Sequence, residues 1–198
     1  MNQLLKYKYD PLRFFTEVLK IEVNAHHKEI IKMLQGEGGE PEVNPKLILK
    51  YRNNPQGKQK FAVIVVPRGH GKSFIICAYA VWYITFNYKK EIVLISSCRD
   101  QSTLMLEQVK TFIKDTAELN FLHPSEVPTA DLEDWQSIWN RLAIYTSTQC
   151  KVLVRPFNSS IRGLHVDKAI CDDILRDDVG KELSEEKAKY IFNNVLSP

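Results

Sequence analysis

A chain of 198 residues with 44% hydrophobic and 26% charged content can bury a full core and reads as an ordinary soluble globular protein, without repeats or low-complexity tracts. Its formal net charge of +3 is too small to argue for a nucleic-acid partner by charge alone, and does not oppose one. The longest apolar run, residues 74–86, falls short of the ~20 residues a bilayer span needs, and the opening Met-Asn-Gln-Leu-Leu-Lys-Tyr-Lys carries no signal-peptide core.

Asp10-Pro11 predicts a helix start, an N-cap acceptor followed by proline in the first turn, with Phe14, Phe15 and Val18 on one face. A second short helix is expected over 26–35, carrying Ile30, Ile31 and Leu34 and stopping at Gly36. Residues 36–45 read as a loop by composition, and the polar stretch 51–60 as an exposed connection. From Phe61 onward, short β-rich runs alternate with helices. Strands are predicted over 61–66, 91–96, 151–155 and 168–171, with a fainter pattern at 142–145. Helices are predicted over 73–86, 100–118 and 182–195, and in the middle one Met105, Val109 and Phe112 share a face. Residues 120–140, with two prolines, Trp135 and Trp139, read as irregular with a short helix. This alternation argues for an α/β fold whose parallel sheet is covered on both faces. The four cysteines lie far apart, with no C-x-x-C pair and no zinc-ligand spacing. Cys77 and Cys171 read as small core residues, and a reducing cytoplasm is the expected compartment.

The stretch Phe61-Ala-Val-Ile-Val-Val-Pro-Arg-Gly-His-Gly-Lys-Ser73 has the layout of a phosphate-binding loop. A buried parallel strand delivers the chain to the sheet edge, backbone N–H groups wrap an anion, and the next helix points its positive N-terminus at the same group. Lys72 supplies a mobile charge for the β- and γ-phosphates, and the Ser73 hydroxyl a ligand for Mg²⁺. The usual first glycine is absent, since Val66 stands there. Such a loop needs an acidic partner for the metal and the attacking water. The best candidate is Asp167-Lys-Ala-Ile-Cys-Asp-Asp173, a short apolar strand ending in two carboxylates, with Asp172 for the Mg²⁺ shell and Asp173 for the water. Asp172 follows Lys72 by 100 residues, which leaves room for an inserted strand as in the RecA-like branch. The bland alternative for the pair is a solvated strand end. Asp177-Asp178, which follow no buried strand, read instead as helix caps.

With both halves in view, the chain resembles the ATPase domain of the large terminase subunit of tailed viruses, the motor that pumps DNA into the procapsid. Pro67-Arg-Gly-His-Gly-Lys-Ser73 resembles the terminase variant of the loop, which often lacks the first glycine and holds an arginine. Ala80-Val-Trp82 and Ile92-Val-Leu-Ile-Ser-Ser97 resemble the following helix and second strand, and Asn158-Ser-Ser-Ile-Arg-Gly163 the loop before the acidic motif. Asp10-Pro-x-x-Phe14 and His26-His-Lys-Glu-Ile30 resemble the N-terminal helices, where a glutamine-type motif often contacts adenine. The likeness runs from Asp10 to Pro198.

The resemblance implies a P-loop NTPase of the RecA-like (ASCE) kind, a three-layer α/β fold with a mainly parallel sheet and an N-terminal helical region. Residues 1–60 would form that region on the adenine side, and 61–198 the ATPase core. It implies ATP and Mg²⁺ as cofactors. Pro67, Arg68, Gly69, His70, Gly71, Lys72, Ser73 and His27 would contact the nucleotide, Ser73 and Asp172 the metal, with Asp173, Arg68 and Lys72 in catalysis. Arg68 would reach the γ-phosphate as a sensor or finger within the same subunit; the alternative is a loop arginine paired with an acidic neighbour. His70 would contribute mainly its backbone N–H. His26 and His27 have two readings, an exposed helix start or a contact to the nucleotide, and Arg162 reads as a phosphate, DNA or subunit contact or as a structural residue. The implied partners are double-stranded DNA, a portal protein, a small terminase subunit and further copies in a ring, in the host cytoplasm and without a membrane.

Two departures from the family pattern stand out. Terminases often place glutamate after the metal-binding aspartate, where this chain has Asp173. The sequence also stops at Pro198, so the coupling motif and the nuclease domain are expected to be missing and no DNA cleavage is expected. Two other readings stay open: a helicase-type RecA-like ATPase, and a nucleotide-binding assembly module with little hydrolysis.

Overall fold

The computed structural model describes residues 2–35, 48–51, 62–65, 69–123, 139–157 and 166–173. The chain divides into two units, Met1–Trp82 and Tyr83–Pro198. The expectations for residues 36–45 and 52–60, for Val66, Pro67 and Arg68, for 124–138 and 158–163, for Asp177 and Asp178 and for the 182–195 helix lie outside the described residues.

In the first unit a 3-10 turn, Asn2–Tyr7, leads to Asp10, whose carboxylate accepts the Arg13 N–H at 3.0 Å while Pro11 opens helix α1 (Pro11–Arg13). The start is as predicted, but the continuation is not a regular helix. Phe14–Val18 widen into a π-turn closed by the Leu19 N–H on the Phe14 carbonyl at 3.1 Å. Phe14 and Phe15, adjacent in sequence, are both 0% exposed, which the wider turn accommodates. Helix α2 (Ala25–Leu34) buries Ile30 and Ile31 as its spacing predicts, and Met33 is buried where Leu34 was expected.

Two short strands follow, β1 (Ile48–Tyr51) and β2 (Ala62–Val65), paired antiparallel with Ile48 opposite Val65 and Tyr51 opposite Ala62. This corrects the sequence reading in two ways. The 61–66 strand was expected to be parallel, and Tyr51 was expected in an exposed connection rather than at the end of a strand. Pairing direction depends on which segment arrives alongside, and an apolar run alone does not encode that.

Helix α3 (Lys72–Phe86) is apolar on nearly every face, and Ile75 through Trp82 are buried. Two of its side chains hold the N-terminal segments. The Tyr79 hydroxyl donates to the Leu34 carbonyl at 2.8 Å, one of the last-turn carbonyls that α2 cannot satisfy internally. The Trp82 Nε1–H donates to the Tyr7 carbonyl at 3.0 Å. Tyr79 is 1% exposed, so Tyr79→Phe removes one buried hydrogen bond at nearly constant volume. A loss of about 1 kcal/mol is expected, read as a lowered denaturant midpoint with unchanged slope.

The second unit is built on a mixed four-stranded sheet of order β4-β5-β3-β6, comprising β3 (Glu91–Ser96), β4 (Ala143–Tyr145), β5 (Lys151–Pro156) and β6 (Lys168–Asp172). β3 pairs in parallel with β5 on one side and β6 on the other, while β4 lies antiparallel on β5. Ile92, Val93, Leu94 and Ile95 are each 0% exposed, as a continuous apolar run demands of a strand covered on both faces. Helix α4 (Arg99–Asp115) buries Met105, Val109 and Phe112, the face read from their spacing. It ends three residues before the predicted boundary, because Thr116 turns extended (φ −108°, ψ 104°) and the chain resumes as a 3-10 turn, Ala117–Leu122. Among the described residues no helix is long and apolar enough to cross a membrane.

At the N-terminal end of these strands four charges interlock. Lys90 pairs with Asp167 at 2.6 Å and Lys151 with Glu91 at 2.7 Å, and the Glu91 N–H donates to Asp167 at 2.9 Å. Burial pushes the Asp167 carboxyl up, but the hydrogen bonds from Lys90 and Glu91 hold it below its ordinary value. Asp167 is therefore a structural anchor at the start of β6, at the opposite end of the strand from Asp172.

Candidate functional site

The 69–73 turn is made by two glycines in the left-handed region, Gly69 at φ 78° and Gly71 at φ 66°, with His70 between them. No β-carbon tolerates those dihedrals cheaply. At Gly69 the dihedral alone makes the demand, since an added Cβ would meet nothing within 4 Å. At Gly71 a neighbour adds to it, because a Cβ would lie 3.1 Å from His27 Nε2. Lys72 then opens α3, and the Ile75 N–H reaches back to the Gly71 carbonyl at 3.0 Å. Gly69, His70, Gly71 and Ser73 are exposed and Lys72 is half-buried, so the turn and the first residues of the helix face solvent before burial begins at Ile75. First-turn N–H groups point out of a helix N-terminus, and here that end opens directly from the glycine turn.

Helix α2 supplies the neighbour. His27 is 8% exposed. Its Nδ1 accepts the Asn24 N–H at 3.2 Å, the reaching-back half of a capping box. That bond assigns the proton to Nε2, which donates to the His70 carbonyl at 2.8 Å. His26 brings its own Nε2 to the same carbonyl at 3.0 Å. The rings of His26 and His27 meet edge to face with centroids 4.0 Å apart, and His26 and His70 do so at 5.3 Å. Burial holds His27 below its ordinary value, its bond to the His70 carbonyl raises it in part, and neighbouring His26 and His70 lower it further.

In the second unit, Asp172 closes β6 beside Ser96, the last residue of β3, in parallel register. Both sit at the C-terminal edge of the sheet, where open α/β sheets place their ligands. Asp172 is 4% exposed and Ser96 2%. Asp173 is exposed and takes φ 50°, a left-handed conformation that aspartate tolerates better than most side chains. Just before them the Cys171 thiol is pushed up to about 12 by burial and by the Asp172 carboxylate, which keeps it protonated, but Cys171 is only partly buried and so is not the full core residue its apolar neighbours predict.

The structure thus gathers His26, His27, His70 and Gly71 in the first unit, with Lys72 and Ser73 opening α3, and sets Asp172 and Asp173 at a strand end in the second. The double histidine clamp was not read from sequence, although Asn24-x-x-His27 before an apolar helix was the available signal. Among the described residues no group of three or more His, Cys, Asp or Glu is assembled to hold a metal ion.

Compared with known families, residues 63–184 match the family model described as the terminase large subunit, T4likevirus-type, N-terminal. No curated protein matches the chain.

Proposed function

Over residues 63–184 the chain belongs to the family formed by the N-terminal part of T4-like large terminase subunits, and on that premise we propose that it is the ATPase module of a DNA-packaging motor, hydrolysing ATP with Mg²⁺ to drive double-stranded DNA into a procapsid. The observation that carries this reading is the pair of left-handed glycines opening into a 15-residue helix. Successive backbone N–H groups in such a turn form a concave nest for an anion, and the helix dipole adds partial positive charge. Lys72 adds a full charge for the terminal phosphates. The Ser73 hydroxyl and the Asp172 carboxylate are hard oxygen donors of the kind Mg²⁺ prefers. Asp172 is only 4% exposed, so its carboxylate sits at the strand end largely out of bulk water. Mg²⁺, with Ser73 and Asp172 as its candidate ligands, would neutralise charge that develops during transfer.

The remaining roles extend the same proposal. Asp173 orients and deprotonates the attacking water, Arg68 supplies charge at the γ-phosphate, and Pro67 is one of the nucleotide contacts. On this reading 61–198 takes a P-loop, RecA-like fold, and 1–60, whose described residues hold helices and also the strand β1, contributes on the adenine side. Its partners are duplex DNA, portal protein, small terminase subunit and further copies in a ring, in the host cytoplasm. Family membership favours this reading over a helicase-type ATPase.

Titrating the purified chain with a non-hydrolysable ATP analogue, with and without Mg²⁺, tests the reading. Saturable, Mg²⁺-dependent binding is expected, with slow phosphate release by the chain alone. Absence of binding overturns the reading, and binding without any turnover reduces it to a nucleotide-dependent assembly module.

A further inference from the structure

We propose that His27, seconded by His26, is a positioning residue that aims the Gly71 N–H at the bound phosphate by holding the His70 carbonyl. That the turn binds phosphate rests on the nucleotide reading above; the clamp itself rests on geometry. With a left-handed glycine on each side, the His70 backbone has few steric restraints of its own. Two ring N–H groups at 2.8 Å and 3.0 Å occupy both lone pairs of its carbonyl. Among the described residues no peptide bond is cis, and in a trans peptide the N–H points opposite to the C=O. Fixing the His70 carbonyl toward α2 therefore fixes the Gly71 N–H on the side away from α2. The contact is close enough that a Cβ at Gly71 would press on His27 Nε2 at 3.1 Å.

Both ring nitrogens of His27 are engaged by the protein, one by Asn24 and one by His70. His27 therefore acts on the nucleotide through the turn and does not read the base itself. Protonation of His27 would place an Nδ1–H against the Asn24 N–H, two donors head to head. Among the described residues the titratable groups acting on its charge are His26 on the same helix and His70 on the turn. Since burial depresses His27, the clamp is intact above the ordinary histidine value of 6.5 and is lost as pH falls from there through the depressed value.

Three measurements on the full chain test this. Long-range ¹H–¹⁵N correlation in the parent protein reads the tautomer directly, and an Nδ1–H form of His27 overturns the proposal whatever the nucleotide does. His27→Phe keeps a ring and removes both nitrogens, and is expected to weaken the Mg²⁺–ATP analogue by about tenfold, while His27→Gln, which returns a donor, recovers most of that loss. In the parent, affinity should decline as pH falls below about 6.5, and His27→Gln should flatten that decline. Parent-like affinity in His27→Phe, or an unchanged pH profile in His27→Gln, defeats the clamp and leaves the nucleotide reading standing. A parent that binds no nucleotide defeats both, and should His27→Phe fail to fold, the tautomer and the pH profile decide.

Discussion

Asp173→Asn is expected to leave nucleotide affinity intact while slowing phosphate release by about 10²- to 10⁴-fold, the usual worth of a positioned general base. The substitution is clean for a structural reason. Asp173 sits at φ 50°, and asparagine adopts the left-handed region as readily as aspartate, so the backbone after β6 is undisturbed. Alanine there would mix lost chemistry with backbone strain. Asp172→Asn should behave differently, shifting the Mg²⁺ dependence to higher metal concentration, because it removes a buried charge and not a base. Turnover by Asp173→Asn at the parental rate, or equal losses of affinity in the two variants, would contradict the assigned roles. Single-turnover phosphate release beside equilibrium binding separates these outcomes.

Lys72→Ala is expected to weaken the triphosphate by about ten- to a hundredfold, the range for losing a charge-assisted hydrogen bond to an ionised group. Lys72 is the first residue of α3 and half-buried, and alanine is the best helix former, so the helix should persist with its far-ultraviolet signal unchanged. The loss should be smaller for a diphosphate than for a triphosphate, since the charge is aimed at the terminal groups. Calorimetric titration with both ligands checks the contrast. An analogue bound as tightly by the variant as by the parent would remove the 69–73 turn from the nucleotide site.

What the sequence alone determined here is what short-range patterning controls. Residues 92–95 had to be covered on both faces because no polar side chain interrupts them, and each is 0% exposed. Met105, Val109 and Phe112 had to face inward together because a helix repeats every 3.6 residues, and Asp10-Pro11 had to start a helix because the carboxylate reaches the Arg13 N–H. The turn at Gly69 and Gly71 and the strand end at Asp172 were legible for the same reason, since each is written within a few consecutive residues. Tertiary structure decided the rest. Phe14–Val18 became a π-turn because two neighbouring phenylalanines were both buried. The 62–65 strand paired antiparallel with Ile48–Tyr51, a segment whose four residues carry little pattern of their own. The bond from His27 to the His70 carbonyl spans 43 positions. Periodicity reports which face a residue occupies, whereas a hydrogen bond across that distance depends on how α2 and the start of α3 come to lie against each other, and no local pattern encodes it.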